Sequence, residues 1–173
     1  LGDVNLIQTG NTPPKSNPDF YNSNDIPFVK PGDLNNMYIN SYNYFISKQA
    51  YEKARISTKN SILTIGIGDP GGKVSITTED VAFNQQLHSL KPIYIEHKFL
   101  YYLMKSFIIK RQFKNTDGTA VSIVNKTKLS NFIAPLPPLA EQQRIVDKLD
   151  ELLPKVSELK ENTDKLEQLR KDF

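Results

Sequence analysis

The sequence predicts an α+β protein, with a mixed, β-rich domain that has a few short helices and then a long C-terminal α-helix of the coiled-coil type. Short apolar runs bounded by Gly, Pro and Asn fill residues 1–137, as in a protein of short strands. From residue 138 onward, apolar residues recur at alternating steps of four and three, which is a helical period. The stretch PLPP at 135–138 separates the two patterns. We therefore expect one domain at 1–137 and a helical spacer or dimerisation region at 138–173.

The order of elements in the first domain follows from its turn residues. Residues 10–24 are rich in Asn, Pro and Ser, which favours a loop. In IPFVKPGDL, a short apolar run between Pro27 and Pro31 predicts a short edge strand and a turn. The runs SILTIGI and KVSITT flank the turn GDPGG, which predicts a strand–loop–strand unit. We expect VAFNQQLHSL to be a further strand.

A helix and two closing strands complete the predicted domain. Apolar residues recur at helical spacing through HKFLYYLMKSFIIKRQF, which predicts a single helix over 97–113 with a wide apolar face. The runs AVSIV (120–124) and NFIAPLP (131–137) then predict the closing strands. The domain therefore ends at the prolines.

Composition narrows the class of protein. Hydrophobic residues make up 38% of the chain and charged residues 24%, which predicts a folded core. No apolar run reaches the roughly 18 residues of a membrane span, so we expect no membrane partner. The chain has no cysteine, which excludes disulfides, cysteine nucleophiles and Cys-rich zinc sites and fits the cytoplasm.

Charge is divided unevenly between the two predicted parts. Residues 1–137 hold 15 Lys/Arg and 10 Asp/Glu, a net charge of +5, whereas residues 138–173 hold 7 and 9, a net charge of −2. This asymmetry indicates separate partners for the two parts.

Three short stretches resemble catalytic motifs but lack essential parts of them. Pro18-Asp19 and Glu96-His97-Lys98 resemble a metal-nuclease pattern only across a long gap, and a loop aspartate and a helix-start glutamate explain them. In GIGDPGGKV, Val74 stands where a phosphate-binding loop needs Ser or Thr, so we interpret a tight turn. In NTPPKS, Lys15 stands where an amino-methyltransferase motif needs an aromatic residue, and the sequence has no glycine-rich cofactor loop of that enzyme class. His88 and His97 are expected to be surface or capping residues. We therefore predict no catalytic residue and no metal site.

Basic and amide residues point instead to nucleic acid. Seven Lys/Arg and one acid lie between Lys98 and Lys128, and such cations gain affinity by neutralising phosphates. Asn and Gln amides can read base edges, for example by pairing bidentately with adenine. Tyr42 and Tyr44 are expected on one side of a strand. The candidate DNA-binding residues are Lys15, Asn17, Tyr42, Tyr44, Lys73, Asn84, Gln85, Gln86, Lys110, Arg111, Lys114, Asn115, Thr116 and Thr119.

The tail carries a heptad seam with no evident partner in the chain. The predicted dimerisation residues in this seam are Ile145, Leu149, Leu152, Val156, Leu159 and Leu166. Thr163 and Phe173 occupy further positions of the same seam. Pro154 lies inside the pattern, and we expect a kink or a break there because proline removes a helical hydrogen bond. Either the helix folds back on its own domain, or the seam pairs with another helix.

The segment GTAVSIVNKTKLSNFIAPLPPLAEQQRIVDKLDELL resembles the junction between a target-recognition domain and its helical spacer in specificity subunits of type I restriction–modification systems. Upstream, IQTGNTPPKSNPDFY, IPFVKPGDL, ILTIGIGDPGGKVSI and AFNQQLHSL also resemble the family and occur in the expected order. The resemblance covers nearly the whole chain.

This resemblance implies a non-catalytic reader of double-stranded DNA, with one half of a split target read by each recognition domain. Methyltransferase subunits that use S-adenosylmethionine to modify adenine, and a restriction motor-nuclease subunit with ATP and Mg, would be its partners. The chain holds one recognition domain and one helical region, where the family has two of each, so it resembles half a subunit. It is either a natural half that dimerises or a fragment, and we favour a half-subunit that forms a homodimer through the C-terminal helix. A protein-interaction adaptor with a coiled-coil helix and a complete nuclease are the alternatives.

Overall fold

The computed structural model describes residues 1–114 and 122–171, and its mixed α+β architecture confirms the predicted fold class. The chain divides into two compact units, Leu1–Leu136 and Pro137–Phe173. No helix in the described residues is long and apolar enough to cross a membrane.

The secondary structure of the first unit consists mainly of short strands. In the described residues the strands are β1 (Asn5–Thr9), β2 (Ile26–Val29), β3 (Tyr38–Ile39), β4 (Phe45–Ile46), β5 (Ile56–Ser57), β6 (Ile62–Ile65), β7 (Ile67–Gly68), β8 (Val74–Thr77), β9 (Val81–Phe83), β10 (Leu87–Pro92) and β11 (Ser122–Ile123). The α-helices are α1 (His97–Lys105), α2 (Phe107–Lys114), α3 (Lys126–Ser130) and α4 (Leu139–Lys171). Short 3-10 helices occupy Pro18–Tyr21, Pro31–Asp33 and Lys48–Lys53.

These strands pair into sheets that share a core. Among the described strands, one five-stranded sheet has the order β1-β10-β6-β8-β3, and one four-stranded sheet has the order β4-β2-β9-β5. A two-stranded ladder joins β11 to β7. The predicted strand–loop–strand unit is present, since β6 and β8 pair antiparallel across the GDPGG turn.

Alternating residues of the four-stranded sheet face two hydrophobic clusters. Val29 and Phe83 join residues of the five-stranded sheet in a buried cluster, so this cluster connects the two sheets. Phe28 and Ala82, one position away, belong to a second cluster with Ile46 on the other face. Opposite orientation of successive side chains along a strand explains this division. Helix α1 packs on β6 and β8 of the five-stranded sheet.

The prediction that β2 is an edge strand was wrong. β2 lies between β4 and β9, and each pairing is two residues long. Pro27 pairs with Phe45 of β4, and the pairing with β9 begins only at Phe28, so no residue of β9 lies opposite Pro27. The Phe28 N–H itself donates to the Tyr44 carbonyl at 2.8 Å. Proline is tolerated here because its missing donor falls outside the β9 ladder.

Two segments predicted as single elements are each divided by a polar residue. The predicted helix at 97–113 is interrupted at Ser106, which is extended at ψ 156° and accepts the Ile109 N–H on its hydroxyl at 3.4 Å. A serine of this kind caps a new helix rather than continuing the old one. VAFNQQLHSL is β9 and β10 in different sheets, because Asn84 begins a turn in which its carbonyl accepts the Leu87 N–H at 3.1 Å.

The closing segment also differs from the prediction. Residues 131–137 form no strand, and their prolines lack the N–H that a ladder needs. Helix α3 was not predicted; it starts where the Asn125 side chain accepts the Lys128 N–H at 2.9 Å. Of the predicted strand at 120–124, β11 covers Ser122–Ile123, and residues 120–121 lie outside the described residues.

The tail is one helix. α4 continues on both sides of Pro154, so of the two expected outcomes, a kink or a break, the break is wrong, although proline still removes its own helical hydrogen bond. The Glu141 and Gln142 N–H groups both donate to the Pro138 carbonyl, which places the start of the helix at the prolines. The seam side chains Leu152, Val156, Leu159 and Leu166 are 40% to 66% exposed, while Ile145 and Leu149 are half-buried.

Candidate nucleic-acid interface

One end of the five-stranded sheet gathers the loops that contain many of the predicted binding residues. In the antiparallel ladders, Thr9 lies opposite His88, and Leu87 lies opposite Ile65. The loop after β1, the turn at 84–86 before β10 and the connection at 66–73 after β6 therefore leave the sheet at the same end. We call this the loop end, and the opposite end, where Leu90 meets Ile62, the far end.

Gly10 allows the first loop to lie directly against the turn at 84–86. Its N–H donates to the Leu87 carbonyl at 3.1 Å, and the next N–H, of Asn11, donates to the Phe83 carbonyl at 3.0 Å. A Cβ at Gly10 would overlap the carbonyl oxygens of Phe83 and Asn84. Glycine at this position is therefore required by a close approach of two backbones.

Gly10→Ala is expected to destabilise the domain by roughly 3 kcal/mol, because the overlapping atoms belong to the backbone and cannot rotate away. The free energy of unfolding in urea measures this effect. Gly32→Ala is the matched control, since a Cβ there meets nothing within 4 Å, and it should leave stability within about 0.5 kcal/mol of the parent. Equal effects of the two changes would contradict the close approach.

The basic end of α2 lies beside the connection at 66–73. Gly71 has a left-handed φ of 71°, and its N–H donates to the Ile65 carbonyl at 3.0 Å. A Cβ on Gly71 would overlap the ring of Phe113, so the last turn of α2 packs directly on this connection. The exposed cations of that helix, Lys110, Arg111 and Lys114, are thereby placed at the loop end.

A cavity of about 380 Å³ lies at the loop end next to the turn at 84–86. Its walls include Lys15, Lys30, Tyr44 and Gln85. The Lys30 ammonium lies 3.0 Å from the centroid of the Tyr44 ring, a cation–π contact that holds the charge at the cavity wall. The loop end thus combines cations, an exposed aromatic ring and amides.

Some of the predicted binding residues make hydrogen bonds or packing contacts within the protein itself. Asn17 caps the 3-10 helix at 18–21 by accepting the Asp19 N–H at 3.1 Å, and the Lys73 ammonium donates to the side-chain oxygen of Asn35 at 2.8 Å. Tyr42 packs against the core, and burial raises the pKa of its hydroxyl, which lies 3.3 Å from the Thr78 hydroxyl. The binding roles of these residues stay predictions.

The sequence had predicted that Tyr42 and Tyr44 lie on one side of a strand, and this prediction was wrong. Both precede β4, where Tyr42 is half-buried and Tyr44 is 48% exposed. Of the remaining predicted residues, Asn115, Thr116 and Thr119 lie outside the described residues.

Lys30 belongs to the candidate site, although the sequence pattern did not predict it. It follows β2, and the parallel pairing of β2 with β9 brings it to the cavity beside Asn84 and Gln85. The sequence did place Lys30 between Val29 and Pro31, directly after a predicted strand, and this position could have suggested that it belongs to a loop of the site.

His88 is buried behind the loop end. Its Nε2 lies 2.6 Å from the Val124 carbonyl, so this nitrogen carries the proton and donates, and Nδ1, 3.0 Å from the Thr9 hydroxyl, accepts. Burial lowers the pKa of the ring, and the bond to the Val124 carbonyl opposes that effect in part. The expectation of a surface or capping residue was wrong, because His88 is 3% exposed.

The free energy of unfolding should therefore fall as the pH drops below 6.5, the ordinary pKa of histidine. Below this pH the histidine of the unfolded chain binds a proton, whereas the buried ring of the folded protein stays neutral. This group therefore contributes at most about 1.4 kcal/mol per pH unit to the slope of the free energy of unfolding against pH. Urea titrations at a series of pH values on both sides of this pKa measure it. His88→Gln should remove this component, and an unchanged pH profile in that variant would contradict the assignment.

Glu96 and His97 lie at the start of α1, where the sequence had placed a helix-start glutamate rather than part of a nuclease site. Glu96 accepts the Phe99 N–H at 2.6 Å and pairs with His97 at 2.9 Å. In the described residues, no group of three or more His, Cys, Asp or Glu is arranged to hold a metal ion.

The fold and the loop end define a class of protein, a mixed α+β domain that presents loops and cations at one end of a sheet and is followed by a long helix. Residues 1–169 match the family model of the type I restriction modification DNA specificity domain, and the chain belongs to this family.

Curated relatives are specificity subunits of type I restriction enzymes. The chain is 30% identical over 158 residues to the EcoR124I/EcoR124II specificity subunit of Escherichia coli, covering 87% of this chain and 39% of that protein. It is 30% identical to the HindI specificity subunit of Haemophilus influenzae, covering 76% of this chain and 30% of that protein. The chain thus spans about two fifths or less of the length of these relatives.

Solved structures share the fold. A chain from a structure of the assembly and conformational transition of the type I R-M system matches with a TM-score of 0.75 and 25% identity, covering 94% of this chain and 39% of that chain. The HsdS subunit from Thermoanaerobacter tengcongensis matches with a TM-score of 0.71 and 25% identity, covering 93% and 38%.

Proposed function

We propose that this chain is the sequence-reading part of a type I restriction–modification enzyme, in which the loop end binds one half of a bipartite duplex DNA target. The observation that carries the proposal is the meeting of three loops, the cavity and the basic end of α2 at one end of one sheet. Cations there can neutralise phosphates, and amides can contact base edges. Membership of the specificity-domain family supports the same function.

The long helix has a separate role in this proposal. α4 holds the recognition domain at a set distance from a second reading domain and offers docking surface to the methyltransferase and restriction subunits. Its 33 residues span ~50 Å at about 1.5 Å per residue, which is close to 15 base pairs of duplex DNA at about 3.4 Å per base pair. We further propose that the exposed seam pairs with the same helix of a second copy, antiparallel and two-fold, so that the two copies read a palindromic split target.

The chemistry of modification and cleavage belongs to partner subunits in this proposal. S-adenosylmethionine, ATP and Mg would be held there, and this chain would supply position rather than reaction. The described residues that line the loop-end cavity are cations, amides, aromatic rings and one threonine hydroxyl, which suit contacts to DNA.

Selection from a pool of duplexes with randomised positions tests the proposal. The chain, assembled with its methyltransferase subunits, should retain duplexes that share two defined blocks separated by a fixed, undefined spacer. The chain alone should bind duplex DNA more weakly, and with a strong dependence on salt. If neither the chain nor the assembly retains DNA, the proposal fails and the alternative of a protein-interaction adaptor, favoured by the exposed seam, takes its place.

A further inference from the structure

Hydrogen bonds within the turn at 84–86 fix which atoms of its amides face outward. The backbone N–H of Gln86 donates to Oδ1 of Asn84 at 3.1 Å. A backbone N–H can only donate, so the atom that it meets is the oxygen of Asn84 and not the nitrogen. Asn84 is 8% exposed, which leaves its amide little freedom to turn.

The orientation of Asn84 then determines that of Gln86. Nδ2 of Asn84 lies 3.1 Å from the side-chain amide of Gln86 and, as an NH₂ group, can only donate. Its partner must be Oε1 of Gln86, which leaves Nε2 of Gln86 as the group turned away from Asn84. Asn84 is therefore a positioning residue for Gln86.

Gln85 is oriented in the same sense from the other loop. In the structure the Thr12 hydroxyl donates to Oε1 of Gln85 at 2.7 Å, and in this arrangement the NH₂ group is the group turned away from Thr12. Both glutamines are exposed, and in the described part of the chain neither Nε2 has a hydrogen-bond partner. Gln85 also lines the cavity beside the ammonium groups of Lys15 and Lys30. The turn and its surroundings thus present donors.

A row of donors matches an edge that holds acceptors. In the major groove guanine presents two acceptors, N7 and O6, whereas thymine presents one acceptor, O4, adenine presents one acceptor and one donor, and cytosine presents a donor. Bidentate pairing with adenine, which the sequence had suggested for these amides, needs the oxygen and the nitrogen of one glutamine to face the base together, whereas both oxygens here are turned toward Thr12 and Asn84.

We propose that Gln85 and Gln86 read guanine in the target through its acceptor edge, with Thr12 and Asn84 holding the two amides in the donor orientation. This inference rests on the proposed function. Phosphate oxygens are also acceptors, but a contact to a phosphate and a contact to a guanine base have different effects on binding. A phosphate contact adds affinity evenly across sequences, whereas a base contact adds it at one position of the target.

Asn84→Asp inverts the presented atoms while keeping the size of the side chain. One oxygen of the new carboxylate still accepts the Gln86 N–H, but the second oxygen can only accept, so the Gln86 amide turns and exposes Oε1. Selection from randomised duplexes by the assembled enzyme should then replace guanine at one target position by adenine or cytosine. The change in preference should be about 5- to 150-fold, the range for one base contact.

A second variant covers the case in which the buried substitution prevents folding. Gln86→Glu, on an exposed side chain, keeps one oxygen for Nδ2 of Asn84 and presents the other oxygen, so it should shift the preference in the same direction. Gln49→Glu is the charge-matched control, because it makes the same amide-to-carboxylate change on an exposed side chain of the 3-10 helix at 48–53, outside the candidate binding residues. It should weaken binding evenly and leave the selected sequence unchanged.

The parent protein supplies an independent arm. Replacing single guanines of the selected target by 7-deazaguanine, which lacks N7, should weaken binding at one guanine in particular. The inference is overturned if the selected target has no guanine, or if Gln86→Glu weakens binding evenly with the same preferred sequence, as a phosphate contact would. Failure of the proposed function looks different, since the parent assembly would then select no sequence at all.

Discussion

Replacing Lys110, Arg111 and Lys114 together by alanine is expected to weaken binding of duplex DNA about 500-fold at ~0.1 M salt. These exposed side chains lie on the last turns of α2, which packs on the connection at 66–73 through Phe113 and Gly71. Each phosphate contact releases about 0.9 of a counterion, so three lost contacts reduce the slope of log K against log salt by about 2.7. A fluorescence-anisotropy titration of a labelled duplex at several salt concentrations measures both quantities.

A control for charge alone comes from the far end of the sheet. Lys59 precedes β6, and Lys91 lies toward the end of β10, so both are exposed away from the loop end. Changing these two residues to alanine should leave the salt slope within about half a unit of the parent. If the far-end pair reduced the slope as much per charge as the α2 set, the DNA would contact another face and the assignment of the loop end would be wrong.

Much of the fold could be predicted from local pattern. β6, the GDPGG turn and β8 form one antiparallel unit, and each of its parts has a signal in the sequence, with apolar runs around a glycine-rich turn. The long helix follows as directly from its heptad spacing. Such elements are determined by residues that lie close together in the sequence, so the local pattern is enough to predict them.

The errors arose where one polar side chain redirects the backbone. Asn84 and Ser106 each stand inside an apolar pattern that looks continuous, yet the hydrogen bonds they make end one element and begin another. Whether such a residue caps a new element or simply faces solvent depends on the packing of both flanking segments. Periodicity therefore located the elements but missed their division.

The candidate site depends on contacts between segments distant in the sequence. Lys30 reaches the cavity through the parallel pairing of β2 with β9, and the first loop reaches Asn84 through Gly10. Composition supplied the candidate amides and cations, but it could not assign their geometry. The orientation of Gln85 requires Thr12, 73 positions earlier, and no local rule joins the two.

Replacing Leu149, Leu152 and Leu159 by lysine is expected to convert the proposed helix-paired dimer into monomers. In the seam, Leu152 and Leu159 are 40% and 66% exposed, so a second helix would remove apolar surface from water. Six buried leucines in a two-fold pair, at ~1.5 kcal/mol each, contribute about 9 kcal/mol to association. Lysines in their place also add like charges to both sides of the interface. Light scattering coupled to size exclusion measures the mass directly.

A charge-matched variant separates the seam from a general effect of added lysines. Gln143, Ser157 and Gln168 lie on α4 outside the seam, and changing them to lysine adds the same charge to the same helix. That variant should keep the mass of the dimer, while circular dichroism should show α4 equally helical in both variants. A monomeric parent at high concentration, or dimers that persist in the seam variant, would refute pairing through these residues. In either case the target selected by the assembled enzyme should still contain the half-site read by this domain, because the loop end and the seam belong to different compact units of the chain.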